Sequence, residues 1–140
     1  MAYRSVDDII IGIFAHFPDG RKQFKHDQEA VHRFFHDRKA TYAVLGGIGF
    51  KNGLFPKSED IDKAYARLTA SGLLWSLGGR LDPQEFSAIC PDYWNGQVAA
   101  KFSAEEQAEI MHLSGQFYAS FGMSREAQDC TAARDCQGRR

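Results

Sequence analysis

The stretch from Ser58 to Leu77 constrains the fold of this chain more than any other. Ser58 precedes Glu59 and Asp60, an arrangement typical of a helix N-terminus, where the hydroxyl caps a free amide and the carboxylates face the positive end of the helix dipole. Apolar residues then recur with helical spacing at Ile61, Ala64, Tyr65 and Leu68. Gly72 stands where a glycine commonly ends a helix. We therefore predict a helix that closes at Gly72.

The residues after Gly72 predict a short β-hairpin. Residues 73–77 have the composition of a strand, Gly78-Gly79 is a two-residue turn signal, and Arg80-Leu81 begin the return strand. Asp82-Pro83 is typical of an N-cap followed by a first-turn proline, so we expect a short helix from there to about residue 89. Cys90-Pro91 is expected to end that helix.

Two further helices are predicted before residue 58. Ser5, with acids at positions 7 and 8, marks the start of the first helix at about residues 5–17, and Pro18 begins the segment that stops it. Residues 21–26 are interpreted as a short basic connector. Asp27 caps the second helix, which extends to about Lys39. Residues 41–45 either lengthen that helix by a turn or begin a new short one.

A long amphipathic helix is predicted near the C-terminal end. Ser103 and Glu106 form a capping box, in which each side chain accepts a hydrogen bond from the backbone amide of the other. Gly122 ends the helix. Residues 123–140 are polar and are predicted to be a flexible tail, so residues 1–122 form the single predicted domain. The aromatic stripe near the end of this helix consists of Phe117, Tyr118 and Phe121.

This aromatic stripe has two interpretations. It packs onto the first helix of the same chain, or part of it pairs with a second copy of the protein. The second interpretation makes the three rings a candidate dimer interface, and a homodimer would double the basic surfaces in one assembly.

Charge and composition narrow the classes of function. The chain has 17 basic and 18 acidic residues and a net charge of −1, whereas a protein that neutralises many phosphates is usually more basic. Apolar runs such as Ile9 to Phe14 are too short to span a bilayer, which takes about 20 residues. The cysteines are three, an odd number, and widely spaced, which favours a reducing cytoplasm.

The order of these predicted elements resembles a winged helix over about residues 5–82. The residues that carry the resemblance are the capped helix from Ser58, the stretch from Leu68 through Gly72 to Leu74, and Gly78-Gly79-Arg80. The resemblance implies a mainly α fold with a small β-hairpin, namely a winged-helix-like core followed by the long C-terminal amphipathic helix. It also implies binding to double-stranded DNA or to a protein, since winged helices serve both purposes.

DNA is the first candidate partner under this resemblance. In that binding mode the start of the third helix enters the major groove, where Glu59, Asp60 and Asp62 would be repelled by the phosphates. Residues 21–39, by contrast, carry six basic and three acidic residues, a local charge of +3. A solvated surface balanced by acids elsewhere is the alternative. The candidate DNA-contacting residues are Arg21, Lys22, Lys25, Lys57, Lys63, Arg67 and Arg80.

Metal and phosphate motifs are weak. His32 and His36 have the i, i+4 spacing that can hold a metal, but Arg33 stands where a zinc protease has its glutamate, so we predict two surface histidines on a polar helix face. The glycine-rich stretch 46–51 lacks the Gly-Lys-Ser/Thr of a phosphate-binding loop. We interpret it as a helix stop that leads into a loop over residues 50–56.

The sequence therefore predicts binding rather than catalysis. No serine, cysteine or carboxylate pair has a spacing that marks it as catalytic, and Cys90 is predicted to be a small buried hydrophobic residue. No cofactor and no metal is expected. We predict a cytoplasmic, non-membrane protein that is either a DNA-binding transcriptional regulator or a protein-interaction module without DNA binding.

Overall fold

The computed structural model describes residues 5–18, 21–77 and 83–123, and they are mainly helical with one small antiparallel sheet. In this part of the chain no helix is both long enough and apolar enough to cross a membrane. Short non-α turns lie at Ala43–Leu45, Trp94–Val98 and Ala99–Lys101. The elements are α1 (Val6–Ala15), β1 (Gln23–Lys25), α2 (Gln28–Arg38), α3 (Glu59–Ala70), β2 (Leu74–Ser76), β3 (Pro83–Phe86), α4 (Cys90–Tyr93) and α5 (Ala104–Phe121).

The ends of the long helices lie where the sequence predicts them. Ser5 and Asp8 form a capping box on α1, and Ser103 forms one with Glu106 on α5. The hydroxyl of Ser58 accepts from the amide of Ile61 at 3.3 Å. Residues 41–45 do not continue α2, because the chain re-forms as a separate 3₁₀ turn.

The C-terminal end of α3 is a complete Schellman motif. Gly72 has a φ of +83°, which a glycine adopts without steric cost. Leu73 donates its amide to the carbonyl of Leu68 at 3.0 Å, and Gly72 donates to Thr69 at 3.1 Å. The helix therefore turns directly into β2, as the sequence predicts.

The sheet differs from the predicted hairpin in its return strand. Residues 83–86 form β3, and the helix predicted from Asp82-Pro83 to residue 89 is wrong. The reason is tertiary, since β3 is the central strand and pairs with β1 on one side and β2 on the other. Cys90-Pro91 begins α4 rather than ending a helix, because a proline in the first turn loses no hydrogen bond.

The predicted basic connector 21–26 contains β1, the third strand of the sheet. Phe24 is fully buried and lies opposite Gln84 of β3. The outer edge of β1 is covered by the chain that follows α5, where Met123 donates its amide to the carbonyl of Gln23 at 3.1 Å. Both edges of this strand are thereby paired, which fixes the C-terminal end of α5 on the sheet.

Large aromatic rings fill the core between the helices and the sheet. Nine of the eleven phenylalanines are buried, so the core is built mainly from this residue. Phe14 of α1 stacks on Phe86 of β3 with ring centroids 4.6 Å apart. Phe117 of α5 lies edge-on to Phe24 and Phe34, at centroid distances of 5.5 and 5.4 Å.

This packing involves the three aromatic rings of the candidate dimer interface on α5. Phe117 and Phe121 are buried against rings of the same chain, and Tyr118 is half-buried against Phe17 at a centroid distance of 5.1 Å. The rings therefore make contacts within the same chain, and the pairing of part of the stripe with a second copy stays a prediction, since Tyr118 is only half-buried. The rings that these residues contact belong to Phe34 of α2, Phe24 of β1 and Phe17, which follows α1.

Gly12 allows α1 to approach α5 closely. A Cβ atom at this position would lie 2.7 Å from the Ile110 side chain and 2.7 Å from the indole of Trp94. Neither side chain can move away freely, since Ile110 and Trp94 are themselves buried. The absence of a side chain at Gly12 is thus a packing requirement rather than a source of flexibility.

We expect Gly12→Ala to lower the free energy of unfolding by about 1–3 kcal/mol, because the added methyl group overpacks the core. Gly115→Ala is the matched control, since Gly115 lies in α5 with open space around the added Cβ. Alanine there should raise stability by about 0.5–1 kcal/mol through helix propensity. Urea unfolding monitored by circular dichroism measures both values. Equal stabilisation by the two variants would contradict the close approach of α1 and α5.

Candidate functional site

A buried histidine joins α2 to the start of α3. The imidazole of His32 is fully buried, and the backbone amide of Ser58 donates to its Nδ1 at 2.9 Å. Because an amide can only donate, Nδ1 is the acceptor and the ring proton is on Nε2, which donates to the Asp62 carboxylate at 3.0 Å. The prediction of a surface histidine at position 32 is therefore wrong. His36 is exposed as predicted.

The three carboxylates in the first turn of α3 all bind groups of their own chain. Glu59 pairs with Lys51 at 3.3 Å, and Asp60 accepts from the amide of Gly49 at 2.9 Å. Asp62, besides its bond with His32, lies 3.7 Å from the Lys57 ammonium. These acids therefore hold the connection between α2 and α3 against the helix.

The chain between Lys51 and Lys57 forms a closed loop, here called the 51–57 loop. The two lysines exchange backbone hydrogen bonds of 2.8 and 3.0 Å, which tie its base. The ring of Phe55 lies edge-on to the buried His32, with centroids 6.0 Å apart. Leu54 lies beyond these contacts, and 99% of it is exposed to solvent.

Most of the predicted DNA-contacting residues have partners within the chain. Arg67 makes a bidentate pair with Asp7 at 2.8 and 2.6 Å. Lys22 lies 3.7 Å from Glu85. Arg21 is half-buried and donates to the hydroxyl of Tyr118. Lys57 is paired with Asp62, as described above.

The remaining candidates do not complete a single basic surface. Lys25 and Lys63 are exposed, and neither has an ion-pair partner among the residues that the structure describes. Arg80 lies outside the described residues. Lys63 and Arg67 line a cleft between α1 and α3, whereas Arg21 and Lys22 line a separate cavity beside Phe86.

His32 of the candidate metal motif and Gly49 of the glycine-rich stretch have structural roles. Both ring nitrogens of His32 are already hydrogen-bonded, so neither is free for a metal. Within residues 5–18, 21–77 and 83–123, no three histidine, cysteine, aspartate or glutamate side chains gather as metal ligands. In the glycine-rich stretch the Gly49 amide is occupied by Asp60, so it does not face a phosphate site.

Cys90 is a buried thiol rather than a nucleophile. It has no exposed surface, as predicted, and burial raises its pKa to about 11, although a backbone hydrogen bond from Ser87 lowers it in part. Because the thiolate is the reactive form of cysteine, a raised pKa suppresses its reactivity near neutral pH.

Two features of this region were missed by sequence reasoning, although each has a signal. His32 lies three residues before Phe35 and beside Val31, so it shares the apolar face of α2. Leu54 and Phe55 are adjacent apolar residues between two lysines in a predicted loop. Such a pair indicates either a residue that packs onto the protein or one that is exposed to solvent. In the structure Phe55 packs onto His32, and Leu54 is exposed.

No protein-family model, curated protein or solved structure matches this chain.

We expect the stability of the protein to fall at alkaline pH partly because of Cys90. Its folded pKa of about 11 lies above the value of about 8.5 for a free thiol, so its contribution is full below pH 8.5 and is lost as the pH rises through 11. Urea unfolding from pH 8 to 10.5 tests this in a Cys130→Ser/Cys136→Ser background. Adding Cys90→Ala should flatten the decline, whereas parallel declines would exclude Cys90 as its source.

Proposed function

We propose that this chain is a non-catalytic binding module with a winged-helix core, and that it binds a protein through the 51–57 loop. The element order supports the winged-helix interpretation. A helix, a strand, two helices and a two-stranded hairpin follow one another, and β1 adds to the return strand of the hairpin. α3 leads into that hairpin through Gly72, as the resemblance implies.

The exposure of Leu54 is the observation that carries the protein-binding proposal. Single exposed apolar residues are common on protein surfaces and need no explanation by themselves. Leu54 differs because it lies at the tip of a loop whose base is closed by two backbone hydrogen bonds and whose neighbour Phe55 is anchored on His32. A partner that buries this side chain would gain about 1.5–3 kcal/mol.

The charges around the loop favour a protein over DNA. Lys51 and Lys57 at its base are paired with Glu59 and Asp62, so the surface beside the start of α3 has little excess positive charge. DNA binding depends on cations that displace the counterions of the phosphates. An apolar tip surrounded by neutralised pairs is instead the composition of a protein contact, with an apolar centre and a polar rim.

Double-stranded DNA is the second candidate partner. The exposure of Lys63 favours DNA, because this side chain lies on α3 and has no ion-pair partner in the described part of the chain. Lys25 is similarly exposed on β1. In this alternative the protein is a transcriptional regulator, and the two lysines contribute to phosphate contacts.

The protein-binding proposal is tested by a photo-crosslinking amino acid placed at position 54 of the full chain in cells. We expect one defined protein adduct, because Leu54 would be enclosed by the partner. The same group at Met111 is the matched control, since this exposed residue lies on α5. The mass of the adduct distinguishes a second copy from another protein. Adducts at position 54 that equal those at position 111 would refute the proposal.

We also expect no saturable binding to random-sequence duplex DNA in fluorescence anisotropy, even at about 50 mM salt, because Lys51, Lys57 and Arg67 in and around α3 are paired with carboxylates of the same chain. Lys63→Glu and Lys25→Glu should then change nothing. Binding that weakens steeply between about 50 and 200 mM salt, and that is lost in Lys63→Glu, would replace the protein partner by DNA.

A further inference from the structure

An apolar cavity, here called the recess, lies beside the exposed tip of the 51–57 loop. It has a volume of about 300 Å³ and is formed by the residues of the loop together with Glu59 at the start of α3. Its exposed lining is mostly apolar. Phe55 forms one wall and is only half-buried, so part of its surface is accessible to a partner. The loop therefore combines an apolar projection, Leu54, with an apolar recess next to it.

The folded chain presents the projection and the recess together. Backbone hydrogen bonds of 2.8 and 3.0 Å between Lys51 and Lys57 close the base of the loop. Phe55 is held against the buried ring of His32, with 6.0 Å between the ring centroids. A preformed surface loses less conformational entropy on association than a flexible one. The loop is thus suited to a contact in which both features are used at once.

A surface that contains both a projection and a recess can be complementary to itself. In a contact with two-fold symmetry both copies use the same patch, so residue i of one copy contacts residue j of the other and the reverse. Leu54 of each copy can then enter the recess of the other, and both side chains are removed from water. A partner of different sequence needs a matching projection and recess of its own, whereas a second copy already has both.

The charges around the recess permit two copies to approach each other. Lys51, Lys57 and Glu59 lie at its rim, and Asp62 lies 3.7 Å from the Lys57 ammonium. Two ammonium and two carboxylate groups thus surround the apolar centre. A rim of one sign would repel its own image in the second copy, because like charges that face each other disfavour association. With equal numbers of both signs, a lysine of one copy can face a carboxylate of the other.

We propose that the partner at the 51–57 loop is a second copy of this chain, in a two-fold contact in which Leu54 of each copy enters the recess beside Phe55 of the other. This inference rests on the proposed protein-binding function of the loop and names its partner. Interfaces that bury less than about 1,200 Å² in total are typical of weak and transient complexes. A contact confined to one loop belongs to this class, so the dimer depends on protein concentration.

Self-association is measured by ¹H–¹⁵N NMR and sedimentation equilibrium of the full chain, up to about 1 mM protein. We expect concentration-dependent shifts centred on residues 51–59 and a rising average mass. Leu54→Asp should weaken the dimer at least about tenfold, because both copies lose the apolar projection. Met111→Asp is the matched control and should change nothing, since Met111 is exposed on α5 outside the loop. A monomer at every concentration, or equal association of wild type and Leu54→Asp, would overturn the proposal.

Two complementary variants test the insertion itself. Leu54→Ala removes the projection and keeps the recess, whereas Gly53→Gln obstructs the recess and keeps the projection. Gly53 has room for a side chain, because an added Cβ meets only the carbonyl oxygen of Phe55, at 3.8 Å. Neither variant should associate with itself, but ¹⁵N-labelled Leu54→Ala should show shifts when unlabelled Gly53→Gln is added. If wild type associates and this mixture shows no shifts, the insertion is wrong.

The crosslinking experiment at position 54 separates this inference from the proposed function. An adduct with twice the mass of the chain supports the dimer. An adduct with a different protein would retain the protein-binding function of the loop and refute a second copy as its partner. Adducts at position 54 that equal those at position 111 would refute both.

Discussion

The imidazole of His32 holds together the parts of the chain on which the candidate site depends. Its Nδ1 accepts a hydrogen bond from the backbone amide of Ser58, the residue that caps α3. Its Nε2 donates a hydrogen bond to the carboxylate of Asp62 in the first turn of the same helix. A buried polar group that loses its partner costs about 1–3 kcal/mol, so each of these bonds matters more when broken than when formed. The ring also supports Phe55 at the base of the 51–57 loop. One side chain thereby links α2, the start of α3 and the loop that presents Leu54.

Charge pairing over long sequence distances determines what the surface offers to a partner. Arg67 and Asp7 are 60 residues apart, and Lys101 pairs with Asp8 over 93 residues. A count of basic residues along the sequence treats Arg67 and Lys22 as available to phosphates, because their partners Asp7 and Glu85 lie far away in the sequence. In the folded chain these side chains form ion pairs, whereas Lys63 has no ion-pair partner among the described residues. The local excess of +3 over residues 21–39 is for the same reason a poor measure of the binding surface.

Local signals in the sequence predict the helices well and the sheet poorly. Ser58, Ser103 and Gly72 act on the backbone within a few residues, so their effects are visible in the sequence. The strand at Pro83–Phe86 instead exists because β1 and β2 supply partners from elsewhere in the chain. Its first residue carries a local helix-start signal that tertiary pairing overrides. The burial of His32 and the exposure of Leu54 depend likewise on how α2, α3 and the loop meet.

The acids at the start of α3 bear on both candidate partners. As first-turn carboxylates they stabilise the helix by about 0.3–1 kcal/mol each, and they also bind Lys51, Gly49 and His32. Replacing them with basic residues would suit a DNA-reading helix, but it would remove the groups that hold the 51–57 loop in place. The same first turn cannot serve both purposes. This conflict is the physical reason for preferring a protein partner at the loop.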